Sequence, residues 1–261
     1  MEQVKIIDSH THMPSSGWEK HTNFFSCFQD AVKYLRDSGI EKAIFNTWRG
    51  VLSESREDLE KGNAEALEMA TSTKGFLYPG VAMNPDFPEE SLRCLNKFHE
   101  LGYRWAGELL TYKIDTLKNS CVSSCKYNEP RFVKLIERCM ELKFVVQIHG
   151  EPEVVDLAEM FPGLTIVCSH IGEDEFLKRL VKCDNVFLDI SGRAGGLIIG
   201  RLEKAVKILG TNRLLFGSDF TGYDPQGFIA RVKKAIPDLH EQEKVFRYNV
   251  LYLLESVGVK I

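Results

Sequence analysis

The 261-residue chain is predicted to be an α/β protein that folds as a single (β/α)8 TIM barrel with an extra C-terminal helix. Eight short runs rich in Val, Ile, Leu and Phe alternate with helical patterns, which is typical of parallel strands joined by right-handed crossovers. The length suits a barrel of about 250 residues. The first strand leads into SHTHMPS, whereas a doubly wound open sheet usually carries a Gly-rich turn at this point.

The predicted elements follow one another along the whole chain. In chain order the strands read VKIID, KAIFNT, FLYPGVAM, RWAGEL, FVVQIH, TIVCSH, VFLDIS and LLFGSD. Between them, apolar residues recur at three- and four-residue spacing, which predicts helices, two of them capped by Gly39 and Gly102. Residues 53–71 supply the helix after the second strand, and residues 240–257 form the closing helix. No linker interrupts this order, so we expect one domain over residues 1–261.

Composition and charge exclude several classes of function. The net charge is −4 with the two signs interspersed, which argues against an extended nucleic-acid-binding face. No apolar run approaches the ~18 residues that span a bilayer, and the start of the chain does not have the pattern of a signal peptide. Seven scattered cysteines indicate reduced thiols in a cytoplasmic protein. We expect a small-molecule substrate and no nucleic-acid or membrane partner; homo-oligomerisation stays open.

Chemically active side chains recur at the C-terminal ends of the predicted strands, where the active sites of such barrels lie. They are His10 and His12 after the first strand, Glu108 after the fourth, His149 after the fifth, His170 after the sixth and Asp219 after the eighth. His10 and His12 are two residues apart and face the same way, so both imidazoles can bind one cation. Each residue alone has an ordinary structural explanation, but their recurrence at equivalent positions predicts a metal site.

Imidazole and carboxylate ligands suit a divalent metal, for which we expect zinc, with manganese or iron as alternatives. Such a cation lowers the pKa of a bound water from 15.7 toward about 7, so that hydroxide is available at neutral pH. One ion or two could bind. The metal ligands predicted from the strand ends are His10, His12, Glu108, His149 and Asp219.

The motifs IDSHTH and FGSD, with a histidine ending each of the fifth and sixth strands, resemble the metal-dependent amidohydrolase superfamily. The short barrel and the closing helix EKVFRYNVLYLLE most resemble its amidohydrolase 2 branch, which includes decarboxylases and hydratases of aromatic-ring breakdown. The resemblance implies that His10, His12, His149 and Asp219 bind the metal. It also implies that His170 orients or deprotonates the water and that Asp219 shuttles protons.

Glu108 departs from the one-metal members of this superfamily. TatD-like deoxyribonucleases, which the chain resembles at this point, have a glutamate there that bridges two metals. Glu108 therefore admits a second cation, held with His149 and His170; alternatively it is an acid behind the ligands or a substrate-binding group. The following sequence, GELLTYK, differs from the GLD of those nucleases, and the negative net charge does not favour DNA.

Three further residues are predicted to bind substrate. Arg49, in NTWRG, and Arg193, in DISGR, could each hold a substrate carboxylate, although solvated loop arginines are an equal alternative. Tyr112 lies in a long loop over residues 110–128 of the kind that often acts as a lid. Asp8 and Asp189 have inward parity and are interpreted as partners of the histidines or as polar filling of the barrel.

The sequence thus predicts a metal-dependent hydrolase in which His170 and Asp219 handle protons. A water on the bound cation would attack an amide, ester or lactone in a small, carboxylate-bearing molecule. Three alternatives stay open: a decarboxylase or hydratase of the amidohydrolase 2 branch, a TatD-like two-metal phosphodiesterase, and an inactive metal-binding barrel.

Overall fold

The computed structural model of the chain describes residues 4–17, 25–110, 125–150, 153–193 and 195–261. Eight strands occur within these residues, and every ladder between neighbouring strands is parallel. They are β1 (Ile6–Met13), β2 (Ile40–Thr47), β3 (Leu77–Pro79), β4 (Trp105–Leu109), β5 (Val145–His149), β6 (Thr165–Ser169), β7 (Val186–Asp189) and β8 (Leu214–Leu215).

The strands form two sheets, β1 to β3 and β4 to β8. Backbone hydrogen bonds join the two sheets at both seams, between β3 and β4 and between β8 and β1. At the first seam the Val81 N–H donates to the Trp105 carbonyl at 2.9 Å. At the second, the Ser9 N–H donates to the Phe216 carbonyl at 2.9 Å, and the Asp219 N–H donates to the His10 carbonyl at 2.9 Å. The predicted (β/α)8 barrel is confirmed.

Helices alternate with the strands along the described chain. They are α1 (Phe28–Asp37), α2 (Trp48–Val51), α3 (Arg56–Ser72), α4 (Pro88–Glu100), α5 (Pro130–Glu141), α6 (Val154–Met160), α7 (Asp174–Leu180), α8 (Arg201–Leu209), α9 (Pro225–Ala235), α10 (Leu239–Glu243) and α11 (Asn249–Ser256). Several of these helices begin or end with residues that are typical of helix caps. The Ser55 side chain caps α3, and Gly39 and Gly102 follow α1 and α4 with φ of 83° and 89°.

Two elements differ from the sequence prediction. The third strand is only Leu77–Pro79, and Pro79 has no N–H to donate to a neighbour. Beyond it the Gly80 N–H donates to the Phe45 carbonyl at 2.8 Å, and Val81 forms a single bridge to Ala106. The closing helix is broken: α10 and α11 are joined by a π-helical turn over Lys244–Tyr248. No helix of the described residues is both long enough and apolar enough to cross a membrane.

The interior of the barrel has an apolar layer that precedes, along the strands, the polar end of the barrel; we call it the lower layer. Seven of the eight strands contribute one residue each, and α11 closes the layer from below. The members from the strands are Ile7, Ile44, Tyr78, Trp105, Val145, Val167 and Leu215, and those from α11 are Val250, Leu253 and Leu254. The larger cluster, which contains apolar residues of both strands and helices, packs the helices around the barrel.

The first strand serves both the lower layer and the polar end above it. Ile7 belongs to the lower layer and His10 also faces the interior, although simple alternation would place residues three apart on opposite faces. A register shift between Asp8 and Thr11 in the pairing of β1 with β2 accounts for this change of parity. The shift brings the His10 and His12 imidazoles to the same end of the barrel interior.

Candidate metal centre

Six side chains meet at the C-terminal end of the barrel, and all six are those that the sequence predicts. They are His10 and His12 on β1, Glu108 on β4, His149 on β5, His170 directly after β6 and Asp219 after β8. Their potential ligand atoms form triads within which all atoms lie within 4.8 Å of one another. We call His10, His12 and Asp219 the first triad, and Glu108, His149 and His170 the second triad.

The Glu108 carboxylate lies between the two triads. Its Oε2 is 3.4 Å from Nε2 of both His10 and His12. Its Oε1 is 2.8 Å from Nδ1 of His149 and 3.8 Å from Nε2 of His170. Glu108 is 4% exposed, so its charge is stabilised by these imidazoles rather than by water. Glu108 thus contacts both triads, and a role shared between two ions is one of the three that the sequence leaves open for it.

Unusual backbone conformations aim two of the six side chains. His170 and Asp219 adopt φ of 69° and 60°, a left-handed conformation that side-chain-bearing residues seldom adopt. Gly192, with φ 71°, packs against His170, and a Cβ at that position would lie 2.4 Å from the His170 Nδ1. Only glycine fits there. Such conformations tend to cluster at functional sites, where surrounding contacts maintain them.

Asp189, at the end of β7, accepts hydrogen bonds from several residues of the centre. It is fully buried and accepts hydrogen bonds from His10 Nδ1 at 2.9 Å, Gln147 Nε2 at 3.0 Å and the His170 backbone N–H at 3.1 Å. The Ser191 backbone N–H, at 2.9 Å, and its hydroxyl also donate to Asp189. Burial would raise the pKa of Asp189, but the charge and hydrogen bond of His10 outweigh it and hold that pKa well below its usual range.

These contacts decide which ring nitrogens are available to a metal. A carboxylate only accepts hydrogen bonds, so the His10 Nδ1 carries a proton for Asp189. A carbonyl also only accepts, so the His170 Nδ1, 3.1 Å from the Ser191 carbonyl, is protonated as well. Both rings are therefore left with Nε2 to direct at Glu108 and its neighbours. A partner behind a histidine that fixes its tautomer in this way is typical of metal ligands.

The protonation of the centre reflects its burial and its three acids. Burial alone would lower the pKa of His10, but Glu108 and Asp189 outweigh it and hold that pKa well above its usual value. Burial lowers the pKa of His170 to about 4, with the His149 charge adding to the effect. Burial raises the pKa of Asp219 to about 7. His170 is thus neutral over the physiological range, as a metal ligand or a proton acceptor must be.

The donor set and its spacing fit a divalent cation. Two ligands that each lie about 2.0–2.2 Å from zinc are about 3.0–3.5 Å apart. In the first triad the two Nε2 atoms are 3.1 Å apart, and the Asp219 Oδ1 lies 3.8 Å from that of His10 and 3.4 Å from that of His12. The two Nε2 atoms lie within hydrogen-bond distance of each other, so a proton on one ring can be shared with the other. A cation that replaced this proton would be held by both imidazoles.

The other predicted residues lie in varied positions. Asp8 contacts no imidazole ring of the described residues; its carboxylate accepts from the Ser218 hydroxyl at 2.6 Å, and burial raises the pKa of Asp8 to about 7. The Arg49 guanidinium is held within the protein, by Glu65 at 2.9 Å and by the Ser16 carbonyl at 2.9 Å. Arg193 is exposed beyond β7. Tyr112 lies outside the described residues, as do residues 111–124 of the proposed lid.

Two residues of the centre were missed by the sequence analysis, although a signal for each was present. Ser191 follows Asp189 at two residues' distance, and Gln147 precedes His149 at the same distance. Side chains two apart on a strand share a face, so the rule that paired His10 with His12 also predicts these two positions. Gln147 extends the hydrogen-bonded chain inward, because its Oε1 accepts from the Trp105 indole at 3.0 Å.

The fold is similar to that of several enzymes of known structure. The 5-carboxyvanillate decarboxylase of Sphingomonas paucimobilis is 10% identical, with a TM-score of 0.75 over 97% of this chain and 99% of that one. The dihydroxybenzoic acid decarboxylase of Polaromonas sp. JS666, solved with manganese and an inhibitor, is 14% identical, with a TM-score of 0.74 over 98% of both chains. A Pseudomonas putida protein assigned as a 2-pyrone-4,6-dicarboxylic acid hydrolase is 18% identical, with a TM-score of 0.71 over 99% and 100%.

Identities this low show a shared fold and no more. Comparison with curated proteins found no match. The family, however, is shown by the sequence itself, because the family model described as amidohydrolase matches residues 7–254. That match spans both triads and all eight strands except the first residue of β1. The chain therefore belongs to the amidohydrolase family, in its amidohydrolase 2 branch, and carries His, Asp and Glu groups suited to a divalent metal.

Proposed function

We propose that the protein is a metal-dependent hydrolase acting on an amide, ester or lactone. The observation that carries this proposal is the position of Glu108 between two triads of ligand atoms. A divalent cation, which we propose to be zinc, would be held by His10, His12, His149 and Asp219, and Glu108 would allow a second ion beside His170. When bound, the metal would supply a water of lowered pKa and a positive charge that polarises the substrate.

The six side chains differ in their exposure to solvent, which supports different roles for them in metal binding and in contact with the substrate. His10 and His12 are 1% exposed and Glu108 is 4% exposed, whereas the side chains of Asp219, His170 and His149 are 17%, 12% and 22% exposed. The buried members would bind the cation from the barrel interior, and His149 and Asp219 would bind it from the side that faces the substrate. Asp219 would also carry a proton to the leaving group, and His170 would hold or deprotonate the attacking water.

A small substrate with a carboxylate is the proposed class. The structural relatives named above act, by their names, on aromatic or pyrone carboxylic acids. In this chain Arg193, exposed after β7, is the proposed anchor for such a carboxylate, and Tyr112 would contribute from its loop. Arg49 would serve the same role only if the carboxylate displaced Glu65, which now occupies one of its guanidinium nitrogens.

Decarboxylation is the second candidate, because two of the relatives are named as decarboxylases. It would use the same residues differently. Asp219 would then donate its proton to the ring carbon that loses carbon dioxide, and no water would be consumed. The two reactions are separated by their products, since only hydrolysis transfers an oxygen atom from water into the product.

The experiment uses protein treated with a chelator and then reloaded with zinc or manganese. It is offered lactones, esters, amides, phosphodiesters and aromatic carboxylic acids, in water enriched in oxygen-18. We expect metal-dependent turnover of a carboxylated lactone, ester or amide, with label in the product. Release of carbon dioxide with no label in the organic product would favour the decarboxylase. Turnover of phosphodiesters alone would favour a two-metal phosphodiesterase. Inertness across the panel, with metal bound, would favour a binding barrel.

The number of ions is tested separately at Glu108. Glu108→Gln removes the charge that faces both triads, so the metal content per chain should fall, and should halve if two ions bind. Glu175→Gln, at a side chain 84% exposed, is the matched control and should leave the content unchanged. Full metal content in Glu108→Gln would place this residue outside the ligand set.

A further inference from the structure

The two histidines of β1 are held in different ways. His10 has the Asp189 carboxylate behind its Nδ1 at 2.9 Å. The Nδ1 of His12 is also buried, but no hydrogen-bond partner reaches it within the described residues. Metal-binding histidines almost always donate from the second ring nitrogen to an acceptor that fixes the ring. The ring of His12, which is 1% exposed, is therefore held at its Nε2 by the centre itself, whereas its Nδ1 side is not fixed by a hydrogen bond from the described residues.

The ring of His12 packs on the indole of Trp48. The two ring centroids are 4.2 Å apart and the planes are tilted by 31°. Trp48 directly follows β2 as the first residue of α2, so its backbone is fixed at the same end of the barrel. A tryptophan has no lone pair to offer a cation, because the indole nitrogen only donates. Trp48 can thus restrict the rotation of His12 without competing with it for the metal.

The other edge of the Trp48 indole is fixed in turn. Its Nε1–H donates to the Thr221 hydroxyl at 3.1 Å. Thr221 is 6% exposed and lies two residues beyond Asp219, in the segment that carries the third member of the first triad. Trp48 therefore contacts His12 with its ring face and the Asp219 segment with its N–H. It spans two of the three positions from which a cation would be held.

We propose that Trp48 is the positioning residue of the first triad, which does for His12 what Asp189 does for His10. This rests on the proposed metal-dependent function. The ring contact with His12 keeps its Nε2 aimed between His10 and Glu108. The hydrogen bond to Thr221 fixes the position of the indole and so maintains the spacing between His12 and Asp219. A residue that acts only in this way sets the metal affinity without binding metal or substrate itself.

Three variants separate the two contacts. Trp48→Leu removes the ring face, Trp48→Phe keeps a ring but removes the N–H, and Thr221→Val removes only the acceptor. The dissociation constant for zinc is measured by competition with a chromophoric chelator. We expect it to rise about 10- to 100-fold in Trp48→Leu, the loss typical of residues that orient metal ligands, and a few-fold in the other two. Tyr252→Leu, at an exposed side chain of α11, is the control and should match wild type.

A double-mutant cycle with His12→Ala distinguishes positioning from general destabilisation. If Trp48 acts through His12, Trp48→Leu should change the zinc affinity less than about twofold once His12 is absent. The same factor in both backgrounds, or wild-type affinity in Trp48→Leu, would overturn the proposal. If Trp48→Leu does not fold, the cycle is run with Trp48→Phe and Thr221→Val. Failure of the wild-type protein to bind any divalent cation would instead refute the proposed function.

Discussion

The lower layer of the barrel and the metal centre above it are built on the same strands with opposite chemistry. The lower layer contains Ile7 from β1, Trp105 from β4 and Val145 from β5, closed by apolar residues of α11. A few residues further along the same three strands lie His10, Glu108 and His149. The lower layer is apolar and stabilises by burial, whereas the upper end collects acids and imidazoles whose burial is costly unless they are paired.

The contrast teaches where stability and function reside in this molecule. The metal centre keeps two histidines, Glu108 and Asp189 almost completely out of water, and their charges are compensated mainly by one another. Such a cluster contributes little net stability and is sensitive to the loss of any partner. The lower layer and the surrounding apolar cluster must therefore maintain the fold, and the centre is free to be arranged for binding.

The comparison is tested most severely by removing both imidazoles of β1. His10→Ala with His12→Ala deletes two of the three members of the first triad. We expect loss of the bound metal, and of all metal-dependent activity, while circular dichroism and the unfolding transition show an intact fold. The elemental metal content of the purified protein checks this. Full metal occupancy in the double variant would contradict the ligand assignment.

The opposite test truncates the lower layer. Leu253 on α11 is 1% exposed and packs into that layer. Leu253→Ala should lower the free energy of unfolding by about 2–5 kcal/mol, because it removes buried methyl groups and leaves a cavity. Urea unfolding of the chelator-treated protein measures the loss. The zinc dissociation constant should stay within about twofold of wild type, and a parallel loss of affinity would show that the two regions are not independent.

A smaller change distinguishes proton transfer from metal binding inside the centre. Asp219→Asn keeps the shape and one oxygen donor but removes the base, so we expect most of the metal to remain and kcat to fall about 10²-fold or more. Metal content and turnover are measured on the same preparation. Near-normal turnover with metal bound would assign the proton to another group, His170 first.

The sequence predicts the centre better than its surroundings, for a physical reason. Strand-end position and two-residue parity are local properties, so His10, His12 and Asp219 can be identified from neighbouring residues alone. The partner of Arg49 cannot, because Glu65 lies on α3 and meets it only after the chain has turned back. The contact of Trp48 with Thr221 likewise joins segments more than 170 residues apart.

The break in the closing helix has the same origin. Residues 240–257 have helical periodicity, which predicts one helix, yet the chain forms a π-helical turn over Lys244–Tyr248. The Phe216 N–H, just after β8, donates to the Val245 carbonyl at 2.8 Å, so a carbonyl of this turn serves the barrel rather than the helix. A bond of this kind depends on how the helix docks, which its own periodicity does not record.

The mildest test leaves the sequence intact and varies only the pH. Burial raises the pKa of Asp219 to about 7, and the pKa of His10 is held well above its usual value by Glu108 and Asp189 against the effect of burial. Both groups therefore hold protons below about pH 7, and both must release them to bind a cation. Metal affinity should rise with pH, by about tenfold per unit for each proton released, and the slope should fall by one proton once Asp219 has ionised.

Manganese titrations between about pH 5.5 and 8, in buffers of different ionisation enthalpy, measure both the affinity and the protons released. The matched control is Asp219→Asn, which cannot titrate at this position. Its affinity should fall less steeply as the pH is lowered, by one proton's slope, because the imidazoles still have protons to release whereas position 219 has none. An affinity of the wild-type protein that is constant over this range would show that Asp219 and His10 are already deprotonated, and that the acids of the centre are ionised before any cation arrives.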